Sequence, residues 1–111
     1  MGILKNIEVS AVLPLPSLVP YQDGQIISRT LVQNKAVSIT LFAFEAGEEI
    51  STHASGGDAL VTALDGEGVI TIEGVEYRVK AGESIVMPVG KPHAVRADVR
   101  FKMQLTVVFP Q

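Results

Sequence analysis

The stretch that decides the fold is Gly82-Glu83-Ser84-Ile85-Val86-Met87-Pro88-Val89-Gly90-Lys91-Pro92-His93-Ala94-Val95-Arg96-Ala97. Gly82 and Gly90 permit tight turns at the two ends of a short run. Pro88 closes that run, because proline has no N–H to give to a strand ladder. His93 opens the next run, and alternation puts His93, Val95 and Ala97 on one face with Arg96 on the other. A histidine on an apolar face is either a neutral, hydrogen-bonded core residue or a ligand.

Upstream, Gly47-Glu48-Glu49-Ile50-Ser51-Thr52-His53-Ala54-Ser55-Gly56-Gly57-Asp58 opens in a similar way and leads to the other of the two histidines. Around both stretches the hydrophobic period is two. Val37, Ile39, Leu41 and Ala43 share one face of their run, and Val75, Tyr77 and Val79 share a face that leaves Glu76, Arg78 and Lys80 to water. The run from Phe101 alternates as well. Gln33-Asn34-Lys35, Asp65-Gly66-Glu67-Gly68, Glu73-Gly74 and Ala81-Gly82 read as turns, with Gly66-Glu67-Gly68 as a hairpin turn. No segment carries a sustained helical stripe, and Ile3 to Asn6 is the best short candidate. Short strands at this spacing predict an all-β sandwich or barrel. The segment Ala11 to Tyr21, with Pro14, Pro16 and Pro20, reads as extended chain wrapping that body.

A chain of 111 residues with 47% hydrophobic residues suits one domain with one real core. Charged residues are 19% and the net charge is −3, without a basic stripe, so nucleic acid is not an expected partner. Cysteine is absent, which removes disulfides and thiolate metal sites and favours an intracellular setting. The first residues lack the pattern of a signal peptide, and the apolar stretch Val9 to Tyr21 is broken by its prolines, so no membrane span is expected. The expected location is cytoplasmic.

With these residues in place the chain resembles the cupin superfamily, in its small, single-domain, conserved-barrel form. Gly82, Pro88, Gly90 and His93 match the family's second motif, and Gly47, His53 and Gly66 match its first. The resemblance implies an all-β double-stranded β-helix, a jelly roll with little helix. The whole chain, 1–111, would be a single domain, with 1–35 as an extended segment and edge strands and 36–109 as the barrel. It also implies a central pocket. Metal-binding cupins use three histidines and a glutamate, and here the other positions read Ser55 and Ala59, while Ala97 stands where the family has asparagine.

His53 and His93 are therefore half of a ligand set. Two imidazoles would hold a divalent transition metal (iron, manganese, nickel or zinc) only weakly. Asp58 could complete a two-histidine, one-carboxylate triad if a bulge at Gly56-Gly57 turned it inward. Otherwise Asp58 points out and caps the turn. Ser55, Ala59, Val61, Ala63, Val95, Ala97 and Gln104 are the expected pocket residues, with solvent the alternative place for Gln104. Met87 and Met103 read as core filler, with a weak thioether ligand as the minor reading, and Tyr77 reads as a core aromatic, with its hydroxyl in the pocket as the alternative. Phe42 and Phe44 lie opposite Ile39 and Leu41, which reads as a strand buried on both sides and predicts a homodimer through the Phe42/Phe44 face. Three functions follow as expectations: a metal-dependent enzyme of dioxygenase or isomerase type on a small organic molecule, a non-catalytic or sensory small-ligand binder, and a metal-free acid–base enzyme.

Overall fold

The structure is a computed structural model, and it describes residues 2–111. Eight antiparallel strands follow one short 3-10 turn, Leu15–Leu18. They are β1 (Ile26–Gln33), β2 (Val37–Phe44), β3 (Glu49–His53), β4 (Asp58–Ile72), β5 (Val75–Lys80), β6 (Ser84–Met87), β7 (His93–Arg96) and β8 (Phe101–Val108). The segment Ile3 to Asn6 forms no helix. The all-β jelly-roll class expected from the sequence is the class observed. Among the described residues no helix is long and apolar enough to cross a membrane.

Strand β4 holds the fold together. Its first half lies between β8 and β6, in the sheet that also contains β1 and β2. Its second half lies between β7 and β5, in the sheet that also contains β3. These are the first and second sheets of the barrel. The passage from one to the other runs through Asp65-Gly66-Glu67-Gly68, which is not the hairpin turn read from sequence but a bend inside one continuous strand. A register shift lies between Ala63 and Asp65. Gly66 has φ +69, and a Cβ there would stand 1.9 Å from the Arg100 carbonyl oxygen. At Gly68 a Cβ would stand 2.3 Å from the Phe101 ring. Both glycines are required by close approach, not by chain reversal.

The core fills the space between the sheets. Phe44, Phe101, Ile70, Val61, Met87 and Met103 are fully buried in it. The Phe44 and Phe101 ring centroids are 5.8 Å apart. Each such side chain contributes about 1.5–3 kcal/mol by leaving water.

The Phe42/Phe44 face therefore belongs to the barrel interior, which corrects its expected role as a subunit contact. Phe44 is completely buried and Phe42 packs against the same cluster. The outward residues of β2 are Leu41 and Ala43, and the chain's own N-terminal segment covers them. Val19, Leu31, Leu41 and Ala43 form a second buried cluster, with Leu15, Leu18 and Tyr21 packed on it. Both faces of β2 are covered, as its sequence requires, and neither needs a partner for that. Tyr21 fastens the segment: its hydroxyl donates to Asp65 Oδ2, and Arg100 and Lys102 lie over its ring at 5.1 and 4.7 Å from the centroid.

Candidate functional site at the histidine pair

His53 ends β3 and His93 begins β7, and the two are direct cross-strand partners. A register shift between Ile50 and His53 brings the first ring opposite the second. Their Nε2 atoms are 3.2 Å apart, and the rings meet edge to face with centroids 4.4 Å apart. His93 is buried at 2% exposure, whereas His53 faces solvent.

The protons can be placed from the partners. His53 Nδ1 lies 2.9 Å from the Ser51 carbonyl oxygen. A carbonyl only accepts, so Nδ1 carries the hydrogen and Nε2 of the neutral ring is bare. His93 Nε2–H then donates to His53 Nε2. In that tautomer His93 Nδ1 is a bare nitrogen, buried without a hydrogen-bond partner. Burial holds the His93 imidazole below the ordinary histidine value, and its neighbour His53 adds to the effect. The Lys91 backbone opposes both without reaching hydrogen-bonding geometry.

The two histidine loops are clipped together. Gly90 N–H donates to the Ser55 carbonyl oxygen at 3.1 Å, and Val89 N–H donates to Asp58 Oδ1 at 2.9 Å. Ser55 Oγ donates to the Gly57 carbonyl oxygen at 2.6 Å. Gly57 allows the chain to pass Val108, whose carbonyl oxygen would lie 2.3 Å from a Cβ at that position.

Asp58 therefore stands on the exposed, outer face of β4, one residue out of phase with the buried Ala59. No bulge at Gly56-Gly57 turns it in, and the structure does not bring it to the imidazoles. Among the described residues no three of His, Asp and Glu gather at one point. Two facing imidazoles, a serine hydroxyl engaged elsewhere and an alanine do not fit a catalytic metal held by three or more protein ligands.

Ala59, Val61, Ala63, Val95 and Ala97, expected to line a pocket, are at most 2% exposed and lie in the main core. Water cannot reach them, so the barrel is packed at their level and not hollow. Gln104 sits on the opposite face of β8 and donates through Nε2 to Thr106 Oγ1 at 3.2 Å. The accessible part of the interior is the mouth. There His53, His93, Ile72 and Val75 form one cross-strand row over β3, β7, β4 and β5, and residues in such a row share a face. Tyr77, two residues along β5, shares that face too. Val75 is 53% and Tyr77 43% exposed, because β5 is an edge strand that overhangs the barrel. Tyr77 is thus a mouth residue, not the core aromatic expected. The direct contact between the imidazoles was not foreseen either. Its one sequence signal is that each histidine sits at the end of a run that must pair with the other.

A cupin domain model matches residues 40–109. A conserved protein of unknown function from Streptococcus pyogenes has the same fold, with a TM-score of 0.97 and 47% identity over 100% of this chain and 97% of its own. A cupin superfamily protein from Desulfitobacterium hafniense follows at a TM-score of 0.92 and 34% identity, over 98% of this chain and 100% of its own. A salicylate 1,2-dioxygenase from Pseudaminobacter salicylatoxidans has a TM-score of 0.69 at 17% identity, over 75% of this chain and 26% of its own, a likeness of fold alone. No functionally curated protein matches the chain.

Proposed function

The chain belongs to the cupin domain family, and from that premise we propose that it binds a small, hydroxyl-bearing organic molecule at the mouth of its barrel, through the His53–His93 pair. The observation that carries this reading is the 3.2 Å approach of the two Nε2 atoms at the solvent end of an otherwise packed interior. One nitrogen is bare and the other carries a hydrogen. A hydroxyl group donates to the first and accepts from the second, so it can replace their direct bond without leaving either unpaired. Exposed His53 can swing to admit it. Ile72, Val75 and Tyr77 supply an apolar shelf beside the pair for the rest of the molecule.

The test is a thermal-shift screen with phenols, small aliphatic alcohols and hydroxy acids on the wild-type chain and on His53→Ala. Compounds that bind should raise the wild-type melting temperature and leave His53→Ala unchanged. If no stabilisation depends on His53, the reading fails.

A second reading rests on the way the Ser51 carbonyl aims His53 Nε2 at its neighbour. Two imidazole nitrogens at this distance also suit one loosely held divalent ion, of the iron, manganese, nickel or zinc class, with its other positions filled by water or ligand. Metal analysis of untagged protein before and after dialysis separates the two. Up to one equivalent present before dialysis and lost through it, with none bound by His53→Ala, would favour the ion over the hydroxyl ligand.

A further inference from the structure

We propose that the cavity between the start of β4, the loop after β6 and the end of β8 is a second binding site, for a small primary alkylammonium ion, with Asp58 as its anchor. The cavity has a volume of about 270 Å³ and is lined by Gly57, Asp58, Val89, Val108, Phe109 and Pro110. It lies on the outer side of β4, apart from the His53–His93 pair. A molecule of liquid water takes about 30 Å³, so the space suits a compound of fewer than about ten non-hydrogen atoms.

Asp58 is the one charged residue of the lining. Its Oδ1 accepts the Val89 N–H at 2.9 Å, and that bond fixes the carboxylate beside the cavity. Among the described residues no lysine or arginine pairs with it, and no group donates to Oδ2. The walls around it are apolar and set by the fold. Val108 is the direct cross-strand partner of Asp58, so the two side chains stand on one face. Val89 and Val108 are 48 and 57% exposed. Phe109 packs against the core, and its N–H donates to the Ala36 carbonyl oxygen at 3.0 Å. Beyond Pro110, the Gln111 side-chain amide donates to the Lys35 carbonyl oxygen at 2.9 Å. The site is thus built before any ligand arrives.

One aimed carboxylate among apolar walls selects the occupant. A calcium or magnesium ion takes about six or more oxygen ligands, and Val89, Val108, Phe109 and Pro110 have no side-chain oxygen to give. An anion is repelled by Asp58. A primary ammonium donates one N–H to Oδ2 in a charge-assisted bond and keeps its other two in water. Its carbon chain then lies over Val108 and Phe109 and covers apolar surface that is otherwise wet. A neutral alcohol gives Oδ2 only the weaker, uncharged donor, and a quaternary ammonium has the charge but no N–H.

Titration of the full chain with n-butylammonium chloride, followed by amide NMR, tests this. The Val89, Val108 and Phe109 signals should move together and saturate below about 50 mM. n-Butanol and tetramethylammonium chloride should bind about tenfold more weakly or worse. Asp58→Asn keeps an acceptor for the Val89 N–H and removes the charge, and should weaken n-butylammonium by about tenfold or more. Val108→Lys, at an exposed position, places the chain's own ammonium opposite Asp58 and should block the site even if Asp58→Asn fails to fold. Glu76→Gln, which removes a carboxylate from the second sheet, should bind as wild type. Signals that never saturate overturn the proposal. So does n-butanol or tetramethylammonium binding as tightly as n-butylammonium, a folded Asp58→Asn or a Val108→Lys that binds like wild type, or a loss of binding in Glu76→Gln.

Discussion

Asp58 accepts the Val89 N–H at 2.9 Å and so ties the start of β4 to the loop that leads to His93. The carboxylate holds the two histidine-bearing loops in place from outside the barrel. Asp58→Ala should lower stability by about 1–2 kcal/mol, the range for losing a charged acceptor to a backbone donor. Asp58→Asn keeps an acceptor oxygen and should lose less than half of that in urea unfolding. Equal losses in the two variants would show that charge, not the bond, matters here.

His93 makes the fold sensitive to acid. Its folded-state value lies below that of the unfolded chain, so between the two the unfolded state binds more protons. The stability that neutral His93 contributes is complete above the unfolded value, about 6.5. It is lost as pH falls below that toward the folded value. Melting temperatures measured from pH 8 down to pH 5 should decline for the wild type and decline less for His93→Gln. Parallel curves would mean that other groups set the acid limit.

Much of this was legible in the sequence, and the failures share a cause. Alternation and the spacing of Gly82, Pro88, Gly90 and His93 are local facts, and they placed β6, β7 and the inward face of His93. Parity also placed Ala59 inward, which left Asp58 outside. Strand β2 is apolar on both faces, and such a pattern does not say which face meets the core. That was decided by the distant Val19 and Leu18, which close over Leu41. Gly66 and Gly68 look like a hairpin turn because a bend and a turn use the same residue type. Phe101 and the Arg100 carbonyl, more than 30 residues away, make the difference. The imidazole contact depends on the shift in β3 and on the β3–β7 register, both products of the folded chain.

The bend itself can be tested. Gly66→Ala combines a left-handed backbone with overlap against the Arg100 carbonyl, and backbone cannot swing aside. It should cost about 3 kcal/mol or more. Gly68→Ala meets only the Phe101 ring, so pairing it with Phe101→Leu should recover part of its loss. Additive losses in that double variant would mean that the ring is not what excludes a methyl group at 68.

The N-terminal segment keeps the outer face of β2 dry. Tyr21 anchors it through one hydroxyl bond to Asp65 and through two cations over its ring. Tyr21→Phe keeps the ring and its cations and removes the hydroxyl, and should cost about 1 kcal/mol. Val19 has no exposed surface, and it is the residue by which the segment seals Leu41 and Ala43. Val19→Ala should cost about 2–3 kcal/mol through lost burial and the cavity left behind. Amide hydrogen exchange distinguishes local from global loss. If the segment docks as its own cooperative unit, Val19→Ala will accelerate exchange in β1 and β2 before it affects β4 and β7. Uniform acceleration along the chain would show instead that the segment and the barrel unfold together, with Val19 part of one continuous core.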